Sequence, residues 1–271
     1  MSDPNNPFRR NGPVNVVGHR GAAGVAPENT LPAFEHAVDV GVDAVEFDLQ
    51  CTRDGVLVVI HDSKVNRVTD AEGAIEDLTY DDIKQLDAGY NFRPEGQEEH
   101  PYRGQGVRIP RLEEVLDVTE DVPMIVEAKS QRAGKRLGEW LRKTQRGSRA
   151  RSRMIVGAFS NETLKPAREE AHWSCASQDD LRWYVLSHKI GFGRYFAPED
   201  PNALMLPPYY QDFLPILTPS FVDRANRDGF GVYAWTINEA ERMRNLYEIG
   251  VDGILSDYPK RLKRVYESMD G

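Results

Sequence analysis

Acidic residues stand inside two segments that otherwise have the composition of buried β-strands. In Val45-Glu46-Phe47-Asp48-Leu49 the acids alternate with apolar residues, so Glu46 and Asp48 share one face of the strand. The segment Val126-Glu127-Ala128-Lys129 repeats the pattern with Glu127 and Lys129. Carboxylate oxygens are the ligands of hard cations, so the three acids indicate a Mg2+ or Ca2+ site if the fold brings both segments together.

Three carboxylates that converge would repel one another. At about 4 Å and an effective dielectric constant of about 20, each like-charge pair costs on the order of 4 kcal/mol. One lysine, Lys129, cannot offset this repulsion. Either a carboxyl pKa is strongly shifted or a divalent cation lies between the acids. On the solvated face of an antiparallel sheet the same acids would need no ion.

Two histidines end apolar segments and could transfer protons. His19 follows Val17-Gly18 and precedes Arg20, and His61 follows Val58-Val59-Ile60. A single histidine at a strand end is more often a structural hydrogen-bonding group, but two imidazoles with pKa values of about 6.5 can act as one acid and one base. A cation and Arg20 would neutralise phosphoryl oxygens, so the set is suited to cleaving a phosphodiester.

Strand-like and helical patterns alternate along the chain and must position these groups. Apolar runs predict strands over residues 14–18, 44–49, 56–60, 124–128, 153–158, 203–206, 231–235 and 253–256. Amphipathic patterns predict a helix from about Thr30 to Gly41 and further helices over about residues 112–118, 162–170, 220–227, 239–249 and 260–268. Asn238 with Glu241 resembles an N-terminal capping pattern for the helix over residues 239–249. Seven or eight strand–helix units predict a (β/α)8 TIM barrel, with a doubly wound open sheet as the alternative.

Two tracts interrupt this alternation. Residues 63–110 are polar and rich in turn residues, and we expect an insertion with little regular structure beyond a helix near residues 80–86. Residues 188–201 are expected to form a loop over a strand end. The chain, residues 1–271, is expected to be one domain. Two aromatic segments, residues 191–196 and 208–213, either pack internally or offer a surface to an acyl chain or headgroup.

Composition narrows the classes of partner. The 271 residues carry a formal net charge of −9 without a basic block, which disfavours nucleic acid and anionic membranes. Cys51 and Cys175 have neither CxxC nor zinc spacing, so we expect a reducing, cytoplasmic compartment. We expect no signal peptide and no membrane span, because the N-terminal arginines precede no apolar run and no apolar stretch is long enough.

Ordered motifs from about residue 14 to residue 265 give the chain a family resemblance. They are Gly18-His19-Arg20-Gly21, Pro27-Glu28-Asn29-Thr30, Ala33-Phe34, Glu46-x-Asp48, Thr52-x-Asp54-Gly55, His61-Asp62, Ile109-Pro110, Leu112-Glu113-Glu114, Glu127-x-Lys129, Trp235-Thr236-x-Asn238, Gly250-Val251-Asp252-Gly253 and Asp257-x-Pro259. In these motifs the chain resembles the glycerophosphodiester phosphodiesterase family. The resemblance implies a TIM barrel with an insertion after the strand that ends in the His-Asp pair.

The resemblance also implies a role for each candidate residue. Metal ligands would be Glu46, Asp48 and Glu127, holding Mg2+ or Ca2+, with Mn2+ possible. His19 and His61 would be the catalytic acid–base pair. The substrate-binding residues would comprise Arg20 and Lys129 at the phosphate, Trp235 in the pocket wall, and Glu28 and Asn29, which order the first loop.

Three functions are compatible with these residues. The first is metal-dependent hydrolysis of a glycerophosphodiester, a small molecule, to glycerol 3-phosphate and an alcohol, in which the glycerol 2-hydroxyl could attack first to give a cyclic phosphate. The second is a lysophospholipase D that acts on lysophospholipids through the aromatic loops. The third is a non-catalytic phosphate-binding barrel, which the intact pair His19 and His61 disfavours.

Overall fold

Eight parallel strands form a barrel in the part of the chain that the computed structural model describes, residues 14–189, 202–211 and 214–269. The strands of this part are β1 (Asn15–Gly18), β2 (Ala44–Cys51), β3 (Leu57–Val59), β4 (Met124–Ala128), β5 (Met154–Ala158), β6 (Trp173–Ser174), β7 (Ala203–Leu206), β8 (Tyr209–Tyr210), β9 (Leu214–Pro215), β10 (Gly231–Ala234) and β11 (Gly253–Ser256). The parallel strands pair in the order β6-β5-β4-β2-β1-β11-β10-β7. A parallel bridge between Cys175 and Ala203 joins the two ends of this order. The barrel is therefore nearly closed, as predicted, and the open doubly wound sheet is excluded.

Helices flank the barrel. They are α1 (Leu31–Val40), α2 (Tyr80–Ile83), α3 (Leu112–Thr119), α4 (Gln131–Lys143), α5 (Gln145–Ala150), α6 (Asn161–Arg168), α7 (Gln178–Lys189), α8 (Pro219–Asp228), α9 (Ala240–Glu248) and α10 (Pro259–Glu267), with a 3-10 helix at Ile75–Asp77. The capping prediction for Asn238 is wrong, because the N-cap of α9 is Glu239 and makes no side-chain cap hydrogen bond. None of the described helices has the length and apolar composition required to cross a membrane.

The two faces of β2 and β4 have different surroundings. Outward-facing Val45, Phe47 and Leu49 pack with helix residues such as Phe34 in the larger apolar cluster. The barrel interior holds a second cluster that includes Val17, Ala44, Ile125, Trp173, Tyr233 and Leu255. Since side chains alternate along a strand, Glu46 and Asp48 lie on the same inward face as Ala44. The register places Asp48 beside Glu127.

The strand that precedes His61 is not a barrel strand. β3 pairs antiparallel with β2, with Leu49 opposite Val59. The sequence analysis placed His61 at the end of a barrel strand, and that placement is wrong. Only a short turn around Asp54-Gly55 connects the two strands, whereas a parallel pair requires a crossover of a dozen or more residues. His61 therefore reaches the active face from a hairpin.

Residues 63–110 follow this hairpin and have their own apolar cluster. It contains Val58, Ile60, Val65, Ile75, Ile83, Ala88, Val107 and Ile109. The predicted helix near residues 80–86 is shorter, Tyr80–Ile83, and a capping box of Thr79 and Asp82 fixes its start. Of the aromatic segments, residues 191–196 lie outside the described residues. In the second segment, Tyr209 and Tyr210 form β8, which pairs antiparallel with β9, and both side chains are exposed; residues 212 and 213 lie outside the described residues.

Candidate active site

The loop after β1 is shaped by its contact with α1. Gly21 has φ +83°, and a Cβ atom there would lie 2.6 Å from the carbonyl carbon of Ala33. This position therefore requires glycine both for its conformation and for the close approach of the helix. The turn places Arg20 against β2, where its backbone N–H donates a hydrogen bond of 3.0 Å to Glu46 Oε2.

The predicted metal ligands lie together at the carboxyl ends of β2 and β4. One carboxylate oxygen each of Glu46, Asp48 and Glu127 lies within 4.8 Å of the others. Glu46 and Asp48 are buried, and Glu127 is partly exposed. Lys129 Nζ lies 3.1 Å from Asp48 Oδ1 and 2.9 Å from Glu127 Oε1. The structure thus brings all three acids and the lysine to one cluster.

The protonation of this cluster favours a cation. Burial and the charge of Asp48 raise the pKa of Glu46 to about 7. Burial also raises the pKa of Asp48, but the charges of Lys129 and Arg20 outweigh it, so that this pKa is lowered. A buried carboxyl with a pKa of about 7 is ionised fully at neutral pH only when more positive charge is supplied. The all-oxygen donor set fits Mg2+ or Ca2+.

Arg20 lies beside the acidic cluster and has an unused donor. Its Nη1 donates to Glu28 Oε1 at 2.8 Å, and its Nε lies 3.2 Å from Asp48 Oδ2. The Nε contact is an ion pair without hydrogen-bond geometry, so this buried N–H has no hydrogen-bond partner in the described part of the chain. The guanidinium side chain is 19% exposed, and its Nη2 makes no hydrogen bond in the described part of the chain, so Nη2 is able to take an additional anionic acceptor.

His19 stands at the end of β1 and is oriented by a residue from the last strand region. Its Nδ1 lies 2.6 Å from Asp257 Oδ1, while Nε2 lies 3.5 Å from Thr236 Oγ1 and 3.8 Å from Glu46 Oε2. Burial lowers the pKa of His19, but the hydrogen bond with Asp257 and the charge of Glu46 outweigh it, so that the pKa is raised. The parallel pairing of β1 with β11 brings Asp257 to this histidine.

Asn238 fixes the orientation of Asp257. Asn238 Nδ2 donates to Asp257 Oδ2 at 2.7 Å, and Asn238 Oδ1 accepts from the Asp257 backbone N–H at 3.0 Å and from Ser256 Oγ at 3.1 Å. Sequence reasoning assigned no role to Asp257 and only a helix-capping role to Asn238. The only signal was their presence in two of the family motifs.

His61 has a carboxylate partner of its own. Its Nδ1 lies 2.7 Å from Asp62 Oδ1, and Asp62 also accepts from Arg67. The Arg67 hydrogen bond lowers the pKa of Asp62 to about 2. Arg67 in turn pairs with Glu28, which links the hairpin to the loop after β1. The sequence analysis did not consider Asp62 or Arg67 as site residues.

The remaining candidates lie around the same mouth. Asn29 is buried, donates from Nδ2 to Asp48 Oδ2 at 2.8 Å and accepts from the Asp48 backbone N–H at 3.3 Å. Glu28 and Asn29 therefore contact protein groups, which suits residues that order a loop. Trp235 directly follows β10, and its side chain is 42% exposed.

Comparisons with known proteins agree on one family. A model of the glycerophosphoryl diester phosphodiesterase family matches residues 19–261. A curated glycerophosphodiester phosphodiesterase of Caldanaerobacter subterraneus subsp. tengcongensis is 32% identical over 258 residues, which cover 91% of this chain and 95% of that protein.

Solved structures share the fold. A glycerophosphoryl diester phosphodiesterase domain from Mycobacterium tuberculosis has a TM-score of 0.81 at 23% identity, covering 95% of this chain and all of that domain. An Oleispira antarctica phosphodiesterase, solved in complex with the product sn-glycerol-3-phosphate, has a TM-score of 0.72 at 25% identity, covering 94% of this chain and 97% of that one.

Proposed function

The chain belongs to the glycerophosphoryl diester phosphodiesterase family, and from this premise we propose that it hydrolyses glycerophosphodiesters to glycerol 3-phosphate and an alcohol, with two histidines as general acid and general base beside a divalent cation. One observation carries the proposal. Two imidazoles, each with its Nδ1 on a carboxylate, stand beside a cluster of three carboxylates. The Oleispira phosphodiesterase, whose complex contains sn-glycerol-3-phosphate, supports the choice of product.

The cation site in this proposal consists of Glu46, Asp48 and Glu127. A bound Mg2+, Ca2+ or Mn2+ would act as a Lewis acid that stabilises negative charge on the phosphoryl oxygens. Arg20 would donate the unused N–H groups of its Nη2 to the same phosphate, and Lys129 would contribute its positive charge. The positive groups explain how a chain of net charge −9 can accept an anionic substrate.

Proton transfer in this proposal uses the Nε2 atoms of His19 and His61. Each Nδ1 is held by a carboxylate, so the Nε2 atoms are left for the substrate. One neutral imidazole would accept the proton of the nucleophile while the other, protonated, would donate to the leaving oxygen. The nucleophile is either water or the substrate's glycerol 2-hydroxyl. The latter gives a cyclic phosphate, which hydrolysis in 18O-labelled water with trapping of the cyclic product would reveal, whereas inversion at phosphorus in one step would exclude it.

Release of glycerol 3-phosphate from a panel of headgroups, with and without a chelator, tests the proposal. We expect turnover to stop in chelator and to return on addition of Mg2+, Mn2+ or Ca2+. Asp48→Asn should lose activity, whereas Asp81→Asn, at a position with an 82% exposed side chain, serves as the matched control. Full activity in chelator would remove the cation from the mechanism.

A lysophospholipase D activity is the second candidate. It is supported by apolar side chains exposed on segments that follow barrel strands: Phe159 after β5, Tyr210 and Leu214 after β7, and Trp235 after β10. Because carboxyl ends of parallel strands share one face, these side chains could contact an acyl chain next to the phosphate. Comparing turnover of glycerophosphocholine with that of lysophosphatidylcholine separates the two candidates.

The proposed compartment is the cytoplasm. Cys51 and Cys175 are both free and buried, which suits a protein whose folding does not depend on disulfides. Fractionation of the native host, followed by immunodetection, would test this assignment.

A further inference from the structure

The tract of residues 63–110 contributes the guanidinium group of Arg67 to the active site. We propose that Arg67 is a positioning residue that holds His61 in its reactive orientation through Asp62 and ties that histidine to the loop after β1 through Glu28. This inference rests on the proposed function, because it requires His61 to transfer a proton.

Arg67 binds two carboxylates at once. Its Nε donates to Asp62 Oδ2 at 2.7 Å and its Nη2 donates to Asp62 Oδ1 at 3.2 Å. On its other side, Nη1 donates to Glu28 Oε2 and Nη2 to Glu28 Oε1, both at 2.7 Å. The planar arrangement of guanidinium donors permits both bidentate contacts, whereas an ammonium group could not reproduce them.

The contact with Asp62 determines which way the carboxylate faces. Asp62 Oδ1 accepts from His61 Nδ1 at 2.7 Å, and Arg67 donates hydrogen bonds to both oxygens of the same carboxylate. Without Arg67 the Asp62 side chain, which is 32% exposed, could rotate into solvent and release the imidazole. His61 would then lose the hydrogen bond that directs its Nε2 towards the substrate.

The charges around Arg67 argue against a direct role at the phosphate. Arg67 forms ion pairs with Glu28 and Asp62, and Arg20 forms a second ion pair with Glu28. Four of the five N–H donors of Arg67 are occupied by these carboxylates. Arg20, by contrast, makes no hydrogen bond from its Nη2 in the described residues, and its side chain is 19% exposed. The phosphate is therefore assigned to Arg20 and the positioning to Arg67.

The backbone of Arg67 is itself held by the tract of residues 63–110. Asn91 Nδ2 donates to the carbonyl oxygens of Arg67 at 3.1 Å and Thr69 at 3.0 Å. Val65, two residues before Arg67, is fully buried in the apolar cluster of this tract. The tract thus has a function in the reaction, which is to supply a fixed support for His61.

The test compares kcat and KM for Arg67→Ala, Arg67→Lys and the control Arg103→Ala. Arg103 lies in the same tract, donates to the carbonyl of Tyr90 and contacts its ring, away from the site. We expect Arg67→Ala to lower kcat by about ten- to a hundredfold, as misplacement of a catalytic group does. KM should change less than about threefold because Arg20, which is assigned to the phosphate, keeps its contacts with Glu28 and Asp48. Arg67→Lys should recover only part of kcat, and Arg103→Ala should leave it unchanged.

A double-mutant cycle with His61→Ala identifies the route of the effect. If Arg67 acts through His61, adding Arg67→Ala to His61→Ala should cost less than about twofold in kcat. A full additional loss in that background, or a rise in KM with unchanged kcat for Arg67→Ala, would overturn the inference while leaving the proposed function intact. A loss below tenfold for His61→Ala alone would instead refute the role of His61 itself. If Arg67→Ala does not fold, Asp62→Asn and Arg67→Lys carry the same comparison.

Discussion

Replacing Asp257 with asparagine tests how His19 is prepared for proton transfer. Both carboxylate oxygens of Asp257 are acceptors: Oδ1 faces His19 Nδ1 at 2.6 Å and Oδ2 faces Asn238 Nδ2 at 2.7 Å. An amide has only one oxygen, so Asp257→Asn places an N–H group against His19 or against Asn238. Asn238 cannot rotate in response without losing its contacts with Ser256 Oγ and with the backbone N–H of residue 257.

The size of the loss follows from these contacts. A hydrogen bond to a charged group contributes about 1.5–3 kcal/mol, which corresponds to about 10- to 150-fold in rate. If the new amide turns its N–H groups to His19, the imidazole proton moves to Nε2 and the base is lost. The same substitution in the catalytic triad of a serine protease lowers kcat by about 10^4-fold for this reason. We therefore expect kcat to fall between about 10- and 10^4-fold.

A swap of the two side chains distinguishes orientation from mere disruption. In Asn238→Asp combined with Asp257→Asn, the new carboxylate at position 238 accepts from the new amide, whose oxygen is then turned to His19. We expect this double variant to recover to within about tenfold of the wild-type kcat for glycerol 3-phosphate release, since only the charge assistance is lost. The reasoning is refuted if the swap is no more active than Asp257→Asn, or if Asp257→Asn stays within threefold of wild type while its circular dichroism is unchanged.

The other predictions concern substrate binding, the first loop and acid stability. Arg20→Ala should raise KM and lower kcat in steady-state assays, because the guanidinium meets the phosphate in both ground and transition states; a change in only one constant would contradict this. Gly21→Ala should lower the free energy of unfolding by at least about 1 kcal/mol more than Gly104→Ala in urea titrations, since both positions have positive φ but only Gly21 abuts a neighbouring backbone. The pKa of Asp62 is about 2, below its ordinary value of 3.8, so its stabilising contribution is present above that value and is lost as the pH falls towards 2. The stability difference between wild type and Asp62→Asn should therefore be constant above pH 5 and shrink below about pH 4; a difference that grows in acid would be inconsistent with the pairing.

Local pattern was sufficient to predict the strands that hold the acids. Acidic and apolar residues alternate at consecutive positions of β2 and β4, so the pattern can be read directly from the sequence. The structure has β4 at the predicted bounds, Met124–Ala128. β3 was counted among the barrel strands, which is wrong, because the Asp54-Gly55 turn is too short for a parallel connection. Turn chemistry should here have outweighed the expectation of one more barrel strand.

Other elements were missed because tertiary contacts outweigh local preference. α4 contains Gly134 and Gly138, which lower helix propensity and obscured its apolar face. A Cβ at either glycine would lie within about 2.2 Å of a carbonyl oxygen of α6, so the glycines permit the two helices to approach closely. β6 has only two residues, Trp173–Ser174, too few for any sequence pattern.

The partners of the histidines could not be inferred from neighbouring residues alone. Asp257 is 238 residues from His19 along the chain, and only the closure of the barrel brings the two together. Arg67 and Asp62 lie near His61 in sequence, but the ion pair of Arg67 with Glu28 depends on the meeting of two loops. The histidines and acids were found from residue type, whereas the groups that orient them required the fold.

The pairing of β1 with β11 has a consequence for the newly made chain on the ribosome. Glu46, Asp48 and Glu127 lie on β2 and β4, so the proposed cation ligands come only from strands that are synthesised early. His19 is also made early, yet its orienting carboxylate, Asp257, directly follows β11, the last of the eight parallel strands. The proposed acid–base pair would therefore be complete only after β11 has been synthesised and has paired with β1.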